Sequence, residues 1–250
     1  MISLTLSLNR RLKSLAVRLN GGVHPKHLSE DPDQWWYMQF LHEDDRLLDL
    51  GCAQGHHTRR AAAVVQSAHG VDYDAEAIRL ARLEAAPNTQ FGVANLEDIF
   101  GDEPYDEGEY DVVLALDILE HLWNRTQFLR SIHRVLKDDG LLLLSVPNGF
   151  TWWKSFVAWT GNDPMSDPDH KIEQNFDGWA IDLEEAGFDV IDVLPAVIDM
   201  PLVGLIDVFL GWNPFLYRTA TRFRRFLGWL FPSQAAGFNI VCSKAEDVRE

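Results

Sequence analysis

Cysteine is scarce: Cys52 and Cys242 are the only two in 250 residues, far apart in the chain and with no C-x-x-C spacing. That excludes a disulfide framework and a zinc-ribbon arrangement, and leaves a reducing, cytoplasmic setting as the expectation. Repeats and low-complexity runs are missing, so a solenoid or a disordered chain is excluded. Long apolar runs are missing too: the most apolar stretch, about 195–232, is interrupted by Asp199, Asp207 and Pro214, which rules out a bilayer span there. The N-terminal MISLTLSLNRRLKSLAVRLN has no uninterrupted apolar segment followed by a small-residue cleavage site, and reads as mature sequence. Basic residues are few, 22 Lys and Arg against 38 Asp and Glu, for a net charge of -16. Broad attraction to nucleic acid, which needs clustered positive charge, is therefore not expected.

What basic charge there is lies at the ends. Arg10, Arg11, Lys13, Arg18 and Lys26 stand in an acid-free N-terminal stretch, and Arg218, Arg222, Arg224, Arg225 and Lys244 in an acid-free stretch from Val208 to Ala245. Both ends are also rich in apolar residues, a composition suited to peripheral contact with the inner face of a membrane. Between them, short β-type runs alternate with helical patterns. RLLDL, AHGVD, TQFGVA, YDVVLAL and GLLLLSVP read as five strands, FDVIDVL and GFNIVCS as a sixth and seventh. Helices are expected over HHTRRAAAVVQ, AEAIRLARLEA and NRTQFLRSIHRVLK. In the last of these, Phe128, Ile132, Val135 and Leu136 make the buried stripe, and Gly140 is expected to stop the helix in a left-handed turn. A further helix from about Gly178 to Ala186 ends at Gly187. Strands alternating with helices predict a parallel sheet covered on both faces.

LLDLGCAQGHHT is a strand running into a glycine turn and a helix. Gly51 and Gly55 allow a tight turn and close approach of backbone to a ligand, and the amides beyond can meet anionic oxygens. About twenty residues on, the second strand ends in an acid, Asp72. A dinucleotide loop wants G-x-G-x-x-G, but His56 stands three residues after Ala53, so a dehydrogenase is the weaker reading. His56 and His57 read simply as the first turn of a helix.

With Asp49, Gly51, Ala53 and Gly55, the segment resembles the first motif of class I S-adenosylmethionine (SAM)-dependent methyltransferases of the small-molecule type 11/23-like group, with alanine at the middle glycine. ANLED, YDVVLALDILEHL and HRVLKDDGLLLLSVPN resemble later motifs of that group, so the likeness covers about residues 46–148. It implies a Rossmann-like, doubly wound α/β sheet of seven strands, mostly parallel with an antiparallel last strand. It also implies one methyltransferase domain over 1–250: an N-terminal helical cap to residue 45, a SAM-binding core over 46–148, and an acceptor side over 149–250 with a helical insertion at about 195–232. SAM, released as S-adenosylhomocysteine (SAH), would lie on Asp49, Gly51, Cys52, Ala53 and Gly55. Asp72 would take the ribose hydroxyls, Tyr73 the adenine face, Asn95 and Leu96 the adenine edge, and Leu116 and Asp117 would complete the set.

A sulfonium methyl is already activated, so the chain needs position and dryness more than a nucleophile. His121 and His170 are the candidate catalytic bases for a hydroxyl acceptor. Asp117, Glu120 and His121 in DILEH are similar to the E-x-x-E-H of magnesium-dependent quinone and small-RNA O-methyltransferases, with His170 as the later histidine. That makes Asp117, Glu120, His121 and His170 a candidate set for Mg²⁺, Mn²⁺ or Zn²⁺. The aromatic segments outside the core resemble methyltransferases of bacterial surface-glycan synthesis, which implies a small-molecule or lipid-linked saccharide acceptor methylated at oxygen. A quinone-type O-methyltransferase is the rival, and a membrane-peripheral SAM-binding protein without turnover is the alternative of another class.

Overall fold

The computed structural model describes residues 2–20, 32–97, 106–201 and 203–245. Seven strands form one sheet: β1 (Arg46–Leu50), β2 (Ser67–Asp72), β3 (Thr89–Val93), β4 (Tyr110–Leu116), β5 (Leu136–Pro147), β6 (Phe188–Pro195) and β7 (Gly237–Lys244). Their order is β3-β2-β1-β4-β5-β7-β6. The pairs β1 with β2, β1 with β4, β2 with β3 and β4 with β5 are parallel, and the last strands run antiparallel. The central strands are buried along nearly their whole length, which is why RLLDL, DVVLAL and LLLL read as continuous apolar runs and not as alternation.

The helices are α1 (Ile2–Leu19), α2 (His56–Ala61), α3 (Ala75–Leu83), α4 (Arg125–Val135), α5 (Trp152–Trp159), α6 (Phe176–Glu185), α7 (Gly204–Leu210) and α8 (Pro214–Leu230). Several start where the sequence offers a cap. Asp74 accepts from the Glu76 and Ala77 amides, Thr151 from Lys154, and Asn213 from Phe215 and Leu216, with Pro214 in the first turn of α8. Phe128, Ile132, Val135 and Leu136 are buried as the stripe required, and Gly187 ends the α6 segment at φ +87°.

Gly140 does not stop α4. The helix ends at Val135 and β5 begins at once. Gly140 lies outside the left-handed region, and a Cβ there would stand 2.9 Å from the Asp111 carbonyl oxygen and 2.8 Å from Leu136 Cγ. The missing side chain admits close strand approach at an irregularity, where the partner of β4 jumps from Leu136 to Leu141 between Tyr110 and Val112.

The chain divides into two compact units. One comprises residues 37–147, 169–193 and 239–250 and holds most of the sheet. The other comprises 1–36, 148–168 and 194–238. In the second unit α1 packs closely on α7: the Gly204 amide donates to Asn9 Oδ1 at 2.8 Å, and a Cβ on Gly204 would meet Leu12 Cβ at 2.8 Å. Among the described residues no helix is long and apolar enough to cross a membrane.

Candidate functional site

The strand order reverses between β1 and β4, so their carboxyl ends open a crevice. The β1 end is shaped by three left-handed residues, Gly51 (φ +77°), Ala53 (φ +45°) and Gly55 (φ +75°). The Gly51 and Cys52 amides both donate to the Val71 carbonyl, at 2.8 and 3.0 Å, which ties the loop to β2. A Cβ on Gly51 would run into the Ile118 side chain, so the loops after β1 and β4 touch at this point. Ala53, at the position the motif gives to glycine, accepts a conformation that costs a non-glycine residue about 1–2 kcal/mol.

Asp72, buried at the tip of β2, accepts from the Ala53 amide at 2.8 Å and from the Asp74 amide at 2.9 Å, one on each carboxylate oxygen. It thus holds the β1 loop and the start of the α3 turn together. Behind it Asp49 is buried, and its Oδ2 accepts a hydrogen bond from the Thr58 hydroxyl at 2.6 Å. Burial raises the Asp49 carboxyl to about 6; the Thr58 hydrogen bond opposes the rise and the Asp72 charge adds to it. Burial, together with the charges of Asp49 and Asp72, pushes the Cys52 thiol up as well, so it stays protonated and is no nucleophile.

The remaining residues expected at the cofactor fall around the same loops. Tyr73 is exposed beside Asp72. Asn95 is exposed and its side-chain oxygen accepts from the Glu97 amide, while Leu96 is buried within 3.8 Å of where a Gly51 Cβ would stand. Leu116 ends β4, and Asp117, at φ +56°, donates its amide to Ser145. Of the two histidines opening α2, His56 is exposed and His57 Nδ1 lies 3.0 Å from the Tyr37 hydroxyl.

A second cluster follows β4. The segment Leu119–His121 makes a single 3-10 turn, and the Lys171 and Ile172 amides both donate to the Glu120 carbonyl, at 2.7 and 3.3 Å. This strap brings His170 beside the turn. The rings of His121 and His170 meet edge to face with centroids 4.7 Å apart. His170 Nε2 is 3.8 Å from Glu120 Oε1, and its Nδ1 is 2.6 Å from Glu173 Oε1. One ligand-capable atom from each of Glu120, His121 and His170 lies within 4.8 Å of the others. Asp117 is not in this trio. The i, i+3, i+4 face expected for DILEH needs a helix from Asp117 onward, and its left-handed backbone starts the turn only at Leu119.

Three side chains of this region carry contacts that the motifs did not single out: Thr58 on Asp49, Glu173 on His170, and Glu97, whose carboxylate accepts from the Trp123 amide at 2.8 Å. Thr58 and Glu97 stand inside LLDLGCAQGHHT and ANLED, where the motifs assign them no role, and Glu173 lies three residues after His170.

Residues 27–193 match a family model described as a methyltransferase domain. The chain belongs to that methyltransferase family. The matched span takes in both the loops around Asp72 and the Glu120–His121–His170 trio. A Mycobacterium tuberculosis protein named "Probable S-adenosylmethionine-dependent methyltransferase" is 33% identical over 142 residues, which are 57% of this chain and 48% of that one. A ubiquinone biosynthesis O-methyltransferase of Xanthomonas euvesicatoria is 30% identical over 106 residues, 41% of this chain and 43% of its own. The chain spans about half the length of these curated relatives. The fold of a SAM-dependent methyltransferase from Mesorhizobium loti superimposes with a TM-score of 0.56 at 16% identity, over 84% of this chain and 97% of that one. The YcgJ protein of Bacillus subtilis does so with 0.56 at 18% identity, over 84% and 97%.

Proposed function

We propose that the protein transfers a methyl group from SAM to a hydroxyl of a small-molecule or lipid-linked glycan acceptor, with the acceptor oxygen received at Glu120, His121 and His170. The observation that carries the reading is the convergence of that trio next to the loop after β4, in a chain whose β1 and β2 loops keep the methyltransferase pattern. The cofactor residues fit: three left-handed positions, two of them glycine, keep side-chain bulk off the β1 turn, and a carboxylate stands at the β2 tip. Gly51, Ala53 and Gly55 would line SAM and Asp72 would take its ribose diol, with Tyr73, Asn95 and Leu96 around the base. The cofactor supplies a methyl on a positively charged sulfur, so no protein nucleophile is needed.

What the chain must add is a place for the hydroxyl proton and exclusion of water. Glu173 on Nδ1 holds the His170 ring with Nε2 turned to the trio, and its buried carboxylate steadies the ring when Nε2 takes the proton. His121, edge-on to that ring, lines the acceptor side. The same atoms support a second reading. Two imidazoles and a carboxylate suit Mn²⁺ or Zn²⁺ better than Mg²⁺, and Glu173 would then fix the tautomer of a ligating His170. A cation there would lower the acceptor's pKa.

The likeness to ubiquinone O-methyltransferases favours a ring hydroxyl as the alternative acceptor, with the same proton chemistry. The test is turnover of SAM to SAH with glycan and quinol acceptors, before and after exhaustive chelation and readdition of Mn²⁺. His121→Ala and His170→Ala should each cost about 10²-fold or more in rate with SAH affinity retained. Chelation-insensitive turnover discards the cation, undiminished turnover in both variants discards the trio, and SAH binding without turnover on any acceptor supports a binding protein instead.

A further inference from the structure

Helix α8 is amphipathic in the inverted sense. At 100° per residue, Phe215, Phe223, Phe226, Trp229 and Leu230 fall on one face, within an arc of about 120°. That face points to water: Phe215 is 75% exposed, Phe226 55% and Trp229 67%. The opposite face carries the packing. Tyr217 is buried and donates its hydroxyl to Asp207 Oδ1 at 2.9 Å. Arg224 donates to the Ile198 carbonyl at 3.2 Å while the Ile198 amide donates back to the Arg224 carbonyl at 3.0 Å. Gly228 lets the backbone sit against the Ala196 carbonyl, where any Cβ would collide. These contacts lock the helix rotation, so the aromatic face cannot turn inward.

A contiguous face of exposed aromatic rings is unfavourable in water unless something covers it. Its charge setting selects the cover. From Val208 to Ala245 there is no acid, whereas the whole chain carries -16. Arg218 lies at one edge of the apolar face, and Arg222, one turn on, stands within it between Phe215 and Trp229 and is exposed. Aromatic and leucine side chains flanked by arginine on a helix with no acid match the headgroup boundary of an anionic bilayer, where rings sit at the interface and guanidinium groups meet phosphate. In the same unit α5 shows the same habit: Trp152, Phe156 and Trp159, spaced four and three residues apart, are all exposed.

We propose that the α8 face is a docking surface for an anionic lipid bilayer, held in place before the membrane arrives. The full chain would be co-sedimented with vesicles of phosphatidylcholine alone and with phosphatidylglycerol added. Binding is expected only with the anionic lipid, falling as salt rises. Phe223→Ser combined with Phe226→Ser and Trp229→Ser should weaken it at least about tenfold, and Arg222→Glu several-fold. All four sites are solvent-facing or edge positions, so circular dichroism should be unchanged. Equal binding to neutral vesicles overturns the anionic assignment. No binding to either vesicle overturns the proposal outright. So does a wild-type dimer that the aromatic variant dissociates while vesicle binding is unaffected, which would make the face a contact between copies of the chain.

Discussion

Replacing Asp72 by alanine removes two things at once, and their sizes can be separated. In the structure each carboxylate oxygen accepts one backbone amide, Ala53 at 2.8 Å and Asp74 at 2.9 Å. Hydrogen bonds to a charged group contribute about 1.5–3 kcal/mol each. Ala53 is exposed, so its amide recovers water in the variant and the lower value applies, giving a loss of about 3 kcal/mol in all. For a chain of this length that is a fall in Tm of roughly 6–12 °C. If the same carboxylate receives the ribose diol, SAH affinity falls as well, by about 10²-fold for a further loss near 3 kcal/mol. The control is Asp74→Ala. It removes the α3 cap from the Glu76 and Ala77 amides and should cost about 1 kcal/mol of stability with SAH affinity unchanged. Differential scanning calorimetry and isothermal titration with SAH would be run on all three proteins. An Asp72→Ala protein with native circular dichroism that binds SAH within about threefold of wild type would refute the argument, for Asp72 would then be a strut and nothing more.

Two further outcomes follow from the same loop. Because burial raises the Asp49 carboxyl from 3.8 to about 6, the folded state holds a proton that the unfolded chain releases, and stability should decline as pH rises through that window, by up to roughly 3 kcal/mol. Urea unfolding between pH 4 and 7 should show this decline in wild type and a flatter profile in Asp49→Asn; a wild-type profile rising over that window contradicts it. Ala53→Gly relieves about 1–2 kcal/mol of left-handed strain and adds about 0.4–1 kcal/mol of unfolded-state entropy, so Tm should hold or rise slightly. A drop of several degrees would show that the Ala53 methyl makes contacts worth more than the strain.

The alternation of strands and helices, the buried stripe of α4 and the glycine turn after Asp49 were legible in the sequence because each is a local rule: apolar period, cap chemistry, and the need for left-handed backbone at Gly51 and Gly55. Gly140 shows where local rules fail. A glycine after a helix usually marks its end, but this one is explained by the Asp111 carbonyl, a neighbour 29 residues earlier in the chain. The cluster after β4 is divided in the same way. Glu120 and His121 are adjacent and could be picked out together, whereas Asp117 fell away because one left-handed residue broke the assumed helix. His170 joined because a loop 50 residues on strapped its amides to the Glu120 carbonyl. Nor does the α8 sequence say which face points outward. An aromatic stripe at helical spacing would ordinarily be core, and only the collisions waiting at Gly228 and the polar ties of Tyr217 and Arg224 turn it to water. Periodicity specifies that a helix has two faces; which one is buried depends on what lies across from it, and that is decided by contacts distant in sequence.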